Sequence, residues 1–151
     1  MTKYFLVFLG LGLLGFCAFT PGPEQRPKLK YAWRAFFGCM VEDSSSVEKN
    51  AFDILVGKKL CAKDSAGNLL TVESFTITYA ERGLYQDSTG LPIIITEYST
   101  AECKGDTIPA QWIADFRERS YRGDTVYFDH VMARSADQKT QLCKPVKIVI
   151  K

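Results

Sequence analysis

A chain of 151 residues has room for one domain and a short appendage, and 46% hydrophobic against 24% charged residues is the balance of a chain that buries a core, which excludes a largely disordered one. The formal net charge is +2, and Lys3 lies in the N-terminal apolar stretch, so the rest is close to neutral. Its lysines and arginines are scattered rather than striped, which excludes the positive field that nucleic-acid binding needs.

After Lys3, the run Tyr4 to Thr20 is apolar without interruption and opens onto the proline- and charge-rich PGPEQRPKLK. This is the pattern of an export leader, at the lower length limit for a bilayer span. Three fates stay open: a signal peptide cleaved near Ala18 or Thr20, a retained membrane anchor, or lipidation at Cys17. The last follows a lipoprotein-like Leu14-Gly15-Phe16-Cys17, with phenylalanine where a small residue is expected. The division read from this is a signal peptide or anchor at 1–20, a linker at 21–30 and a single domain at 31–151, exported to the periplasm or the extracellular space.

Tyr31 to Val41 is aromatic and apolar enough for a first buried element, strand or short helix. Ser45 and Glu48 have capping-box spacing, and Val47, Ala51 and Ile54 or Leu55 share a helical face, which predicts a helix over about 46–55 with Gly57 as its stop. Lys59 to Lys63 is short and alternating, and Asp64 to Asn68 is a turn. Leu70 to Ala80 is the clearest strand, with Phe75, Ile77 and Tyr79 on its core face. Leu91 to Ser99 (LPIIITEYS) is so continuously apolar that burial on both faces is expected. Asp106-Thr107 offers a cap to a second helix, on which Ile108, Trp112 and Phe116 form a stripe. Arg122-Gly123-Asp124 reads as the turn into a closing hairpin: Val126, Phe128 and His130 alternate with Tyr127, Asp129 and Val131, loop residues Ala136 to Gln138 follow, and Pro145 leads a last strand with Val146, Ile148 and Ile150 on one face. Two strands alone are marginal in water, so this hairpin must complete a larger sheet.

Beyond Cys17, the even set Cys39, Cys61, Cys103 and Cys143 is compatible with two disulfides in any of three pairings, or with buried free thiols. The absence of a CxxC pair and the single histidine, His130, give no metal set, and no motif calls for a cofactor. No nucleophile signature accompanies His130, so no catalytic residue is assigned; a Cys103–His130 pair is the one thiol arrangement worth testing.

Val72-Glu73-Ser74-Phe75-Thr76-Ile77 resembles the V-x-S-F-x-V strand of the C-terminal domain of GldM/PorM proteins. Arg122-Gly123-Asp124-Thr125-Val126-Tyr127-Phe128-Asp129 resembles the segment K-R-G-D-x-V-Y-F-x-x-I there, and Cys143 to Lys151 is similar to its proline-led final strand. The resemblance implies a mainly β fold, an immunoglobulin-like β-sandwich with one or two short α-helices, from the periplasmic shaft of gliding motility and type IX secretion in Bacteroidota. This chain is too short to hold the shaft, so a stand-alone exported copy of the domain is implied. The expected function is a non-enzymatic module that binds protein partners in the bacterial cell envelope through strand edges or loops. The alternatives are a secreted domain that binds a peptide, glycan or small ligand in a concave site lined by Tyr85 or Tyr98, and a small thiol or hydrolytic enzyme.

Overall fold

The computed structural model describes residues 30–151. The leader or anchor read at 1–20, the lipidation read at Cys17 and the linker read at 21–30, save Lys30, lie outside them. The elements run β1 (Trp33–Phe36), β2 (Ser45–Val47), α1 (Lys49–Leu55), β3 (Cys61–Lys63), β4 (Leu69–Gln86), β5 (Pro92–Lys104), α2 (Ala110–Arg119), β6 (Thr125–Arg134), β7 (Thr140–Lys144) and β8 (Val146–Ile150). The protein is mainly β with two helices, as its alternating patterns predict.

The expectation of an open two-sheet sandwich did not include the way these strands close. Pairing runs from β4 to β6, β7, β1 and β3 and returns to β4, so the sheet forms a barrel. Closure removes most free strand edges. Two parallel contacts tie early chain to late: Trp33 lies beside Cys143, and Ser45 to Val47 lie beside Ile148 to Ile150. The second contact explains a correction. Ser45 caps no helix, because Ser45–Val47 is drawn into the sheet by β8, and α1 starts only at Lys49, with Glu48 at the cap position and no side-chain cap bond. The buried face of α1 is accordingly Phe52 and Leu55, while Ala51 and Ile54 are exposed.

A second correction comes from the β4–β6 register. It shifts between Val72 and Ser74 and shifts back between Ser74 and Thr76, placing His130 and Val131 together opposite Phe75. The bulge flips the alternation: Val131 is buried where strict period two would expose it, and His130, at φ 50°, is turned out to solvent.

Three hairpin tips have one construction. Asp64–Asn68, Asp87–Leu91 and Ser135–Lys139 each bond the first N–H to the last carbonyl, with a left-handed residue fourth: Gly67, Gly90 and, unusually, Gln138 at φ 61°. Asp64 and Asp87 also accept backbone N–H groups from their own loops, at 2.8 to 2.9 Å. Those bonds hold both carboxyls below the ordinary range, with the side-chain bond from Asn68 or Thr89 the largest cause.

The interior is a chain of aromatic rings. Phe37 contacts Phe52 and Phe128, Phe128 contacts Phe75, and Phe116 of α2 receives Phe52, Tyr79 and Trp112, all with ring centroids 5.1 to 5.9 Å apart. The Ile108–Trp112–Phe116 stripe thus docks α2 as its pattern predicts, although Asp106 and Thr107 do not cap it; Pro109 precedes its first turn. Lys49 of α1 donates to the carbonyls of Phe116 and Arg117 at the end of α2, where a cation is favoured. A disulfide joins Cys39 to Cys61 with Cα atoms 4.8 Å apart, while Cys103 and Cys143 are buried free thiols.

Candidate functional site

From Ser74 to Ala80, β4 carries β5 on one edge and β6 on the other; its last partner in β6 is Thr125, opposite Ala80. Beyond that point β4 and β5 continue from Glu81↔Glu97 to Gln86↔Pro92 as a two-stranded arm, with both outer edges unpaired among the described residues. At a rise of about 3.3 Å per residue the arm projects about 20 Å from the barrel.

The arm is unusually apolar for something so exposed. Leu84 is 75% exposed, Ile94 61% and, at the arm's root opposite Ala80, Tyr98 68%, and Leu91, Ile93, Ile95 and Tyr85 are also open to solvent. This corrects the expectation that Leu91 to Ser99 is buried on both faces: the run is β-rich as read, but no layer of the described protein lies against either face. Arg82, Leu84, Ile94, Thr96 and Tyr98 share one face, and Gly83, Tyr85, Ile93, Ile95 and Glu97 share the face continuous with the core side of Tyr79. The tip, by contrast, is the polar Asp87-Ser88-Thr89-Gly90.

Local bonds keep the arm extended. The Tyr85 ring lies over Gly83 and its hydroxyl donates to Glu97 Oε1 at 2.7 Å, which raises the pKa of that hydroxyl. At the root, Arg119 of α2 pairs with Glu81 at 2.5 Å. The firmest tie is Asp124, wholly buried: it accepts bonds from the Tyr79 hydroxyl at 2.6 Å, the Arg82 N–H at 2.8 Å and the Tyr121 N–H at 2.7 Å. Burial first, then the bond to Asp124, pushes the Tyr79 hydroxyl far above its usual range. Gly123, at φ 98°, lets the turn pass the Arg82 side chain, whose guanidinium nitrogen would lie 2.8 Å from any added Cβ. Arg122-Gly123-Asp124 is therefore a turn, as read, whose aspartate is also the lock on the arm's root. The reading missed that role because the partners lie 42 and 45 residues away.

The other sequence candidates do not converge. Tyr85 and Tyr98 stand on opposite faces of the arm and line no common hollow. Cys103 and His130 border one surface hollow with Ser74, Glu102 and Lys104, but burial pushes the Cys103 thiol up, away from the thiolate a nucleophile needs; burial lifts Cys143 as well, to about 11. Among the described residues no three histidine, cysteine or carboxylate side chains gather in a metal-ligating group. In a hollow of about 420 Å³ between Tyr31, Arg34, Asp43 and Lys144, Lys144 pairs with Asp43 at 3.1 Å, and Asp43 also accepts the Lys147 N–H. Among the described residues no helix is long and apolar enough to cross a membrane. No protein-family model matches the chain, and a search of the curated proteins finds no match to it.

Proposed function

We propose that this protein is a non-enzymatic, exported module that docks a protein partner in the bacterial cell envelope through the β4–β5 arm. The observation that carries the reading is the arm itself: a ribbon whose two edges are unpaired among the described residues, with apolar side chains on both faces, held out from a closed barrel. A two-stranded ribbon is marginal by itself, and exposed edge strands recruit further strands. The Asp124 and Arg119–Glu81 ties at the root support presentation of the arm in a set direction.

The resemblance to the GldM/PorM C-terminal domain gives this reading its setting. We read the barrel as a variant of that immunoglobulin-like sandwich, exported by its N-terminal segment in a member of the Bacteroidota. The Cys39–Cys61 disulfide is consistent with export.

A photo-activated cross-linker placed at Ile94 of the full chain, in its native envelope, tests the docking role. It is expected to yield discrete adducts that the same group at Asn68, on another hairpin tip, does not. Replacing Ile93 and Ile95 by serine should abolish them. Equal adducts from Ile94 and Asn68, or none from the arm, would overturn the proposal.

A further inference from the structure

We propose that the occupant of the arm's free edge is a second copy of this chain, paired β5 to β5 in antiparallel fashion about a two-fold axis at Ile94. This rests on the reading of the arm as a docking element and names its partner.

The hydrogen-bonding phase allows it. Asp87 N–H donates to the Leu91 carbonyl at 2.9 Å, and the β4–β5 register then runs from Gln86↔Pro92 to Ser74↔Lys104 without a slip. Leu91, Ile93 and Ile95 thus turn their backbone groups toward β4, and Ile94, Thr96 and Tyr98 present theirs along the free edge. An axis at Ile94 makes that residue and its counterpart exchange both backbone bonds.

The side chains then select this register. Ile93 falls opposite the second copy's Ile95, and Ile94 opposite its own counterpart. Each β4 flank adds Leu84 beside Ile94, so one face of the four-stranded sheet carries an aliphatic row of Leu84, Ile94, Ile94 and Leu84. Glu97 falls opposite Leu91, with the two copies of Glu97 at opposite ends of the joint. An axis at Glu97 would set like charges face to face, and one at Tyr98 would form more backbone bonds but set Ile94 against Glu102. Pro92, with no N–H to give, limits the pairing to the arms. The polar tip argues against a lipid occupant: a bilayer would receive Asp87, Ser88 and Thr89 before any isoleucine.

The test is cysteine cross-linking of the full chain in bacterial cells. Paired residues in such a register have Cα atoms about 4.5–5.5 Å apart, within disulfide reach. Ile94→Cys, oxidised and run on a non-reducing gel, should give a band at twice the chain's mass that reduction removes, while Tyr98→Cys and Ser46→Cys, the latter on β2, should not. Adding Thr96→Pro, which removes an edge-facing N–H and leaves the β4 ladder intact, should abolish the band; an unchanged thermal melt by circular dichroism verifies that this variant folds. A band as strong from Ser46→Cys, or one from Tyr98→Cys instead of Ile94→Cys, would overturn the assignment. An Ile94→Cys adduct of another mass would overturn the second copy yet keep the docking arm; no adduct from Ile94→Cys would overturn the second copy, and the photo-cross-linker at Ile94 then decides the docking arm separately.

Discussion

β4 is one continuous strand with two fates. From Ser74 to Ala80 it is flanked by strands on both edges and sends Phe75, Ile77 and Tyr79 into the interior, where Ile77 has no exposed surface; beyond Glu81 the same strand leaves Leu84 75% exposed. Composition does not account for that exposure, because the facing Ile93, Ile94 and Ile95 of β5 are open to solvent as well. What separates the halves is supply of neighbours: β6 begins at Thr125 and α2 ends at Arg119, so among the described residues nothing lies against the outer half. The barrel half contributes to stability through burial, and the arm half contributes little.

The sharpest way to break that comparison is to truncate one side chain in each half. Phe116→Ala removes the ring on which Phe52, Tyr79 and Trp112 converge and should cost about 3–5 kcal/mol of unfolding free energy, whereas Ile94→Ala should cost under about 0.5 kcal/mol. Both are read by urea denaturation; similar losses would mean that the arm is packed in solution.

Asp124→Asn probes the junction. It leaves one acceptor oxygen for three donors and sets an amide N–H₂ against one of them, so a loss of about 2–3 kcal/mol is expected, with faster amide exchange at Arg82 and Tyr121 than at Ile77. Unchanged exchange at Arg82 would show that Asp124 is not what fixes the arm's root.

The smallest effects are at the hairpin tips. Gln138→Gly should gain about 1 kcal/mol by relieving a left-handed side chain, read as a higher melting temperature. Acid should act on the other two tips. The carboxyls of Asp64 and Asp87 are lowered in the folded chain, so their contribution is present above the usual carboxylate range near about 4 and is lost as pH falls through their lower folded values. Protection of the amides of Ala66, Asn68, Thr89 and Leu91, taken relative to the intrinsic exchange rate at each pH, should fall in that window while that of Gln138 stays constant; a parallel fall at Gln138 would point to general unfolding instead.

By itself the sequence determined most of the longer strands, the second helix and much of the core: Phe75, Ile77 and Tyr79, the Ile108–Phe116 stripe, and Val146, Ile148 and Ile150 all lie where period two or period 3.6 puts them. Periodicity is a local property, carried by neighbours within one turn or one pleat. It erred wherever a distant partner intervened. Ser45–Val47 became a strand because β8 was there to pair with it, His130 exchanged faces with Val131 through a bulge against β4, and Asp124 found its partners across the fold. The arm is the largest instance. An apolar strand run states that its surface avoids water, but not which surface will cover it, and only the tertiary structure, by ending β6 and α2 short of it, left it without cover among the described residues.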